Sequence, residues 1–176
     1  MEADFGFHRD FDTSSRLFNK SLGGGSLLDI GIYPIFAALS TLGLPKDMQA
    51  DATFFENGAD STCSMTFTYP PNGETAKLKS TLLEPTPTEA VFYCEHATIK
   101  INTMFHMPTT VTVIANGGEE KTLDFGYKTI GYNYEAIHFN ELIRAGKTES
   151  DVMTFGFSEK LINTLDTVRK LIKLEY

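Results

Sequence analysis

Asp29 and Tyr33 are the residues of this 176-residue chain whose types and spacing most directly suggest chemistry. At i and i+4 they share one face of a helix, so a carboxylate and a phenol can converge on a single point. A phenol can donate or accept a proton. Its ordinary pKa of about 10 makes it a poor base at neutral pH unless a nearby cation lowers that value. The acid lies among Leu27, Leu28, Ile30 and Ile32, where a carboxylate needs hydrogen-bonding partners or a cleft. Spacing alone leaves another reading open, with Asp29 as a local cap and Tyr33 as a core aromatic.

Other chemistries have weaker anchors. Gly23, Gly24 and Gly25 are followed by Ser26-Leu27-Leu28, which makes neither a GxGxxG nor a GxxxxGK[ST] phosphate loop. The triplet remains open as a flexible entry bringing backbone close to a ligand or another helix. His8, His96, His106 and His138 show no HxxxH or HExxH spacing, so no metal site is expected. His106 lies in the loop-like run Met104-Phe105-His106-Met107-Pro108, where an imidazole and an aromatic ring could face a ligand, whereas His138 reads as structural. A hydrolase triad lacks the GxSxG turn that would expose its serine. Cys63 and Cys94 both occur in strand-like runs and read as buried free thiols.

The elements that must position these residues follow from periodicity. Leu28, Ile32, Ile35, Leu39 and Leu42 recur at helical spacing behind Ser26 as a possible cap. Pro34 predicts a kink or a restart, and Gly43 and Pro45 a stop. Glu2 to Phe7 could form a strand, and the period then changes over residues 49–125. Cys63, Met65, Phe67 and Tyr69 point one way and Thr62, Ser64, Thr66 and Thr68 the other. Strand signals also cover 49–56, 75–84, 88–94, 98–103, 109–115 and 119–125, with turns at Pro70-Pro71-Asn72-Gly73 and Asn116-Gly117-Gly118. Helical spacing returns near Tyr134 to Leu142, ended by Gly146, and from about Thr154 to Leu174. The expected fold is α+β in a single domain over residues 1–176. Its open, largely antiparallel or mixed sheet has six or more strands, with helices packed on one face. The other face is rich in Thr and Ser.

Composition sets outer limits. Asp and Glu number 23 against 15 Lys and Arg, a formal net charge of -8, which opposes nucleic-acid binding without a gathered basic patch. Arg169, Lys170 and Lys173 read instead as helix-terminal charges. No early segment reads as a signal peptide, and no apolar run is expected to approach the roughly 18 residues of a membrane span. A soluble, cytoplasmic protein is expected.

The run Gly23-Gly24-Gly25-Ser26-Leu27-Leu28-Asp29-Ile30-Gly31-Ile32-Tyr33-Pro34 strongly resembles the start of the C-terminal domain of the glucose-fructose oxidoreductase / inositol dehydrogenase / rhizopine catabolism (Gfo/Idh/MocA) family, closest to its dihydrodiol dehydrogenase-like branch. Similar pieces follow in the expected order. They are Ala3 to Phe7, Arg16 to Asn19, the Phe105 to Thr110 loop, Gly131 to Glu135, Gly146 to Ser150 and the last helix. The resemblance implies a glyceraldehyde-3-phosphate dehydrogenase-like C-terminal domain that binds substrate and dimerises through its open sheet. It also implies a separate Rossmann domain that binds NAD or NADP and carries a catalytic lysine in a Glu-Lys-Pro motif. Neither that motif nor GxGxxG occurs here. The chain is therefore expected to be a substrate-domain fragment, inactive alone and binding no cofactor by itself.

The same resemblance makes Asp29 the active-site acid and Tyr33 the proton-transferring residue, with Arg16, Phe105 and His106 as substrate-binding residues. The implied reaction moves hydride between nicotinamide and a CH–OH group of a sugar, polyol or cyclic diol. With no tryptophan in the chain, any ring-stacking platform must use Phe or Tyr. Two rivals stand beside this reading. One is a non-catalytic binding or oligomerisation module of the same fold; the other is a self-contained isomerase with Asp29 as base.

Overall fold

The alternating residues of 61–69 become part of a ten-residue strand near one side of an eight-stranded sheet. A computed structural model describes residues 1–176. The strands are β1 (Glu2–Gly6), β2 (Asp47–Phe54), β3 (Asp60–Tyr69), β4 (Glu74–Thr81), β5 (Ala90–Tyr93), β6 (Ala97–Ile101), β7 (Val111–Ala115) and β8 (Glu120–Leu123). Their spatial order is β2-β3-β4-β1-β5-β6-β7-β8. Every pairing is antiparallel except β1 with β4, which is parallel. The sheet is therefore mixed and largely antiparallel, as the sequence predicts.

Period two decides what each face of the sheet meets. Cys63, Met65, Phe67 and Tyr69 enter one core with Ala76 and Leu78 of β4. Helices α1 (Ile32–Leu42) and α3 (Phe155–Leu171) cover that face, contributing Ile35, Ala38, Leu39, Leu161, Leu165 and Val168. Phe67 and Val168 are fully enclosed, and burial of such side chains contributes roughly 1.5–3 kcal/mol each. The remaining helix, α2 (Tyr132–Arg144), buries none of its residues. Across the open face, Gln49, Thr66, Lys77 and Glu2 lie in one row, and Asp51, Ser64, Lys79 and Asp4 in the next. The lysines of β4 thus lie directly beside the acids of β1.

Four expectations need correction. The helix predicted from Leu28 to Leu42 begins instead as a π-turn over Leu27–Gly31 that passes into α1. Pro34 has no N–H for the carbonyl four residues back, and its ring would crowd that group, so a wider turn precedes the restart. Ser26 does not cap this helix: its backbone is already helical and its hydroxyl is engaged elsewhere. Cys94 falls just past β5 and is exposed, whereas Cys63 is buried and its thiol pKa is pushed up to about 12, chiefly by burial. Lys20–Leu42 is in fact long and apolar enough to cross a membrane by length and composition, although 61% of its most apolar stretch is buried inside the fold.

A smaller core lies beneath the N-terminal loop. Phe18, Ile30 and Leu82 are buried there. Phe11, Phe18 and Phe55 pack with ring centroids 4.8–5.5 Å apart. This aromatic cluster holds the 11–18 segment against the sheet beside the π-turn. Arg16 is carried on that segment.

Candidate active site

The end of β1, the π-turn, the first turn of α1, the loop after β6 and the start of α2 meet around a cleft of about 460 Å³. Arg16, Asp29, Tyr33 and His106 all line it. Arg16 Nη2 donates to Asp29 Oδ1 in an ion pair. The Asp29 side chain is 19% exposed and that of Arg16 64%, so the acid is recessed and its partner reaches over from solvent. This pairing supplies the compensation that a carboxylate among leucines and isoleucines requires. It also occupies the one guanidinium at the cleft.

His106 is held by aromatic contacts. Its ring stacks on Phe5 at 4.4 Å and tilts against Tyr33 at 4.9 Å, while Phe105 meets it edge-on at 5.9 Å. Its Nδ1 is buried without a protein partner. Burial lowers the imidazole pKa, so the ring is neutral at pH 7. Phe105 itself does not line the polar cleft; it faces an adjoining apolar cavity of about 490 Å³ with Phe36, Phe92 and Ile101. Tyr33, His106 and Glu135 line both spaces.

Tyr33 stands in an environment that opposes its ionisation. Burial pushes its pKa above the usual value, and the nearby Tyr132, Asp29 and Glu135 add to the shift. Tyr132 and Glu135 were not singled out as site residues by the sequence. Helical spacing identified their helix, but only the path of the 124–131 segment brings its first turn to the cleft. His138, in contrast, bonds Ser150 through Nε2 away from the cleft lining, in keeping with a structural role.

The glycine triplet makes no phosphate cradle. The N–H groups of Gly23, Gly24 and Gly25 donate to the carbonyls of Lys20, Asn19 and Leu17. A Cβ on Gly24 would lie 2.6 Å from the Arg16 carbonyl oxygen, and one on Gly25 would lie 2.1 Å from Asp60 Oδ1. Close approach of backbone to neighbouring protein therefore accounts for both glycines. The one parallel pair, β1 and β4, is joined through α1, β2 and β3 and not by a single crossover helix. Neither feature supplies the phosphate cradle of a dinucleotide-binding fold. No three His, Cys, Asp or Glu side chains are grouped as metal ligands.

Comparison with known proteins places this architecture. Residues 1–100 match the Gfo/Idh/MocA C-terminal domain. The chain belongs to that family. It is 30% identical over 159 residues to scyllo-inositol 2-dehydrogenase (NADP(+)) of Bacillus subtilis, covering 90% of this chain and 48% of that protein. It is also 30% identical over 186 residues to trans-1,2-dihydrobenzene-1,2-diol dehydrogenase of Xenopus laevis, covering 100% of this chain and 54% of that protein. The fold matches aldose-aldose oxidoreductase from Caulobacter crescentus with a TM-score of 0.83 at 19% identity, over 98% of this chain and 52% of the other. The Gfo/Idh/MocA domain described here thus spans about half the length of these relatives.

Proposed function

We propose that this domain is the substrate-binding part of an NAD(P)-dependent dehydrogenase acting on a CH–OH group of a sugar, polyol or cyclic diol. The observation that carries the reading is the meeting of Asp29, Tyr33 and His106 on one cleft, with Arg16 holding Asp29. Phe5, Phe7 and Ile30 give the cleft an apolar lining for a carbon skeleton. Asp29 has a second carboxylate oxygen that can accept from a substrate hydroxyl. The relatives named for inositol and dihydrodiol substrates support this substrate class.

In this reading the nicotinamide supplies the hydride acceptor, and the chain's part is the proton. Tyr33 takes or relays the hydroxyl proton as the alcohol becomes a carbonyl. Its surroundings here raise its pKa, and the cleft's guanidinium is already paired with Asp29. The cation that would activate Tyr33 therefore comes from outside these residues, the place of the lysine that the family resemblance implies. Tyr33→Phe in the two-domain parent should lower kcat at least about 100-fold, the scale of losing a general base, while leaving Tm unchanged. Equal turnover by the two proteins removes Tyr33 from the reaction. Fluorescence titration of the 176-residue chain with NADH and NADPH should show no saturable binding; tight stoichiometric binding refutes an external cofactor site.

The open sheet face is the proposed dimer surface. Lys77 and Lys79 of β4 lie beside Glu2 and Asp4 of β1, a pairing of opposite charges that a second copy can meet about a two-fold axis. Lys77→Glu combined with Lys79→Glu should shift sedimentation toward monomer, whereas an unchanged dimer places the contact elsewhere. A cytoplasmic location is proposed with this activity, and cell fractionation tests it.

A further inference from the structure

Asp60 is fully buried at the start of β3, and the proton-transfer reading assigns it no part. Its Oδ2 accepts the Leu27 N–H at 2.7 Å and the Ser26 hydroxyl at 2.7 Å. Those are the residues at the mouth of the π-turn that carries Asp29. Ser26 Oγ also lies 3.0 Å from Ser80 Oγ, which ties the same point to β4. Oδ1 has no hydrogen-bond partner and faces Gly25, where a side chain would collide with it. A side chain from the sheet, 33 residues distant in sequence, thus binds the first free N–H of the helix in place of the local serine.

The same β2–β3 turn also reaches the other half of the Arg16–Asp29 pair. Asn57 Nδ2 donates to the Phe18 carbonyl at 2.6 Å, and the Gly25 N–H donates to the Leu17 carbonyl at 2.9 Å. Residues 57–60 therefore hold both the segment bearing Arg16 and the turn bearing Asp29.

We propose that Asp60 is a positioning residue, fixing the π-turn so that Asp29 meets Arg16 and Tyr33 at the cleft. This rests on the proposed catalytic role of Asp29 and Tyr33, but its geometric content can be tested without turnover. Burial pushes the Asp60 pKa up, while the Ser26 hydroxyl and Leu27 N–H oppose that shift by binding the charged form. Two hydrogen bonds of 2.7 Å to one enclosed oxygen fix the mouth of the turn in direction as well as distance. Loss of those bonds frees the turn while leaving the apolar packing of α1 in place.

The experiment is ¹⁵N NMR of the chain, reading the Leu27 amide and the Arg16 Nη–H signals that report the bond to Asp29. Three variants are compared: Asp60→Asn, the milder Ser26→Ala, and Val168→Ala as a core substitution that lowers stability from α3. Asp60→Asn should move the Leu27 amide upfield, shift the Arg16 Nη–H signals and speed their exchange roughly threefold or more, as expected when the turn that carries Asp29 opens more often. Ser26→Ala should produce a smaller change of the same sign, and Val168→Ala should leave Arg16 as in the wild type. The proposal fails if Asp60→Asn leaves the Arg16 signal unmoved. Should that variant not fold, an unmoved Arg16 signal in Ser26→Ala is equally fatal. It also fails if Val168→Ala moves that signal as far. A parent enzyme without turnover, in which Asp60→Asn still moves Arg16, would sink the catalytic reading and leave the positioning role standing.

Discussion

At the scale of single residues, the cleft combines groups whose ionisation is suppressed with one ion pair. Asp29 is compensated by Arg16, Tyr33 is held protonated by burial and nearby acids, and His106 is held neutral by burial among aromatic rings. The imidazole gives a directional effect on stability. Its pKa in the fold is below its ordinary value of about 6.5. As pH falls through that value, the unfolded chain takes up a proton that the folded chain resists. This contribution is therefore complete above the ordinary histidine pKa and shrinks as the solution is acidified toward the lowered one. The urea midpoint should drop between pH 7.5 and pH 5.5 by more in the wild type than in His106→Gln. Equal drops would assign the pH dependence to other groups.

At the scale of elements, the turn into α1 is the most constrained part of the site. Gly25 has φ +130 and lies against Asp60, whereas a Cβ at Gly117 in the β7–β8 hairpin would meet nothing within 4 Å. Gly25→Ala should destabilise the chain by more than about 2 kcal/mol through collision and strain, and Gly117→Ala by less than about 0.5 kcal/mol. Chemical denaturation of the pair checks this. Similar losses would show that the turn can relax. Much of the sheet was legible because alternation and turn residues are local properties: Cys63 to Tyr69 announced a core face, and Asn116-Gly117-Gly118 a hairpin. Asp29 and Tyr33 were legible as a pair for the same reason. The role of Asp60 was not, because an acid next to Ala59 carries no periodic signal of the helix end it meets. Nor was the π-turn, since Pro34 predicts a disruption without its form. Tyr132 and Glu135 reach the cleft only through the course of an irregular segment.

At the scale of the whole molecule, the sheet consists of two antiparallel runs, β2-β3-β4 and β5-β6-β7-β8, joined by β1. The first strand of the sequence pairs with β4 on one side and β5 on the other. Phe5 of that strand lines the cleft, where it packs on Tyr33 and His106. Removing residues 1–6 should therefore abolish the single cooperative unfolding transition instead of fraying one edge. Calorimetry tests this, and a truncated chain with an unchanged transition would show that the two runs can pair without β1. The placement also sets an order of events during synthesis. β1 is synthesised well before its partner β4, which follows only after about seventy more residues, a delay of several seconds at ordinary elongation rates. For that interval the strand destined for the middle of the sheet has two unsatisfied edges. A chaperone, or whatever folded segment precedes it in a longer chain, would gain most by shielding those first few residues.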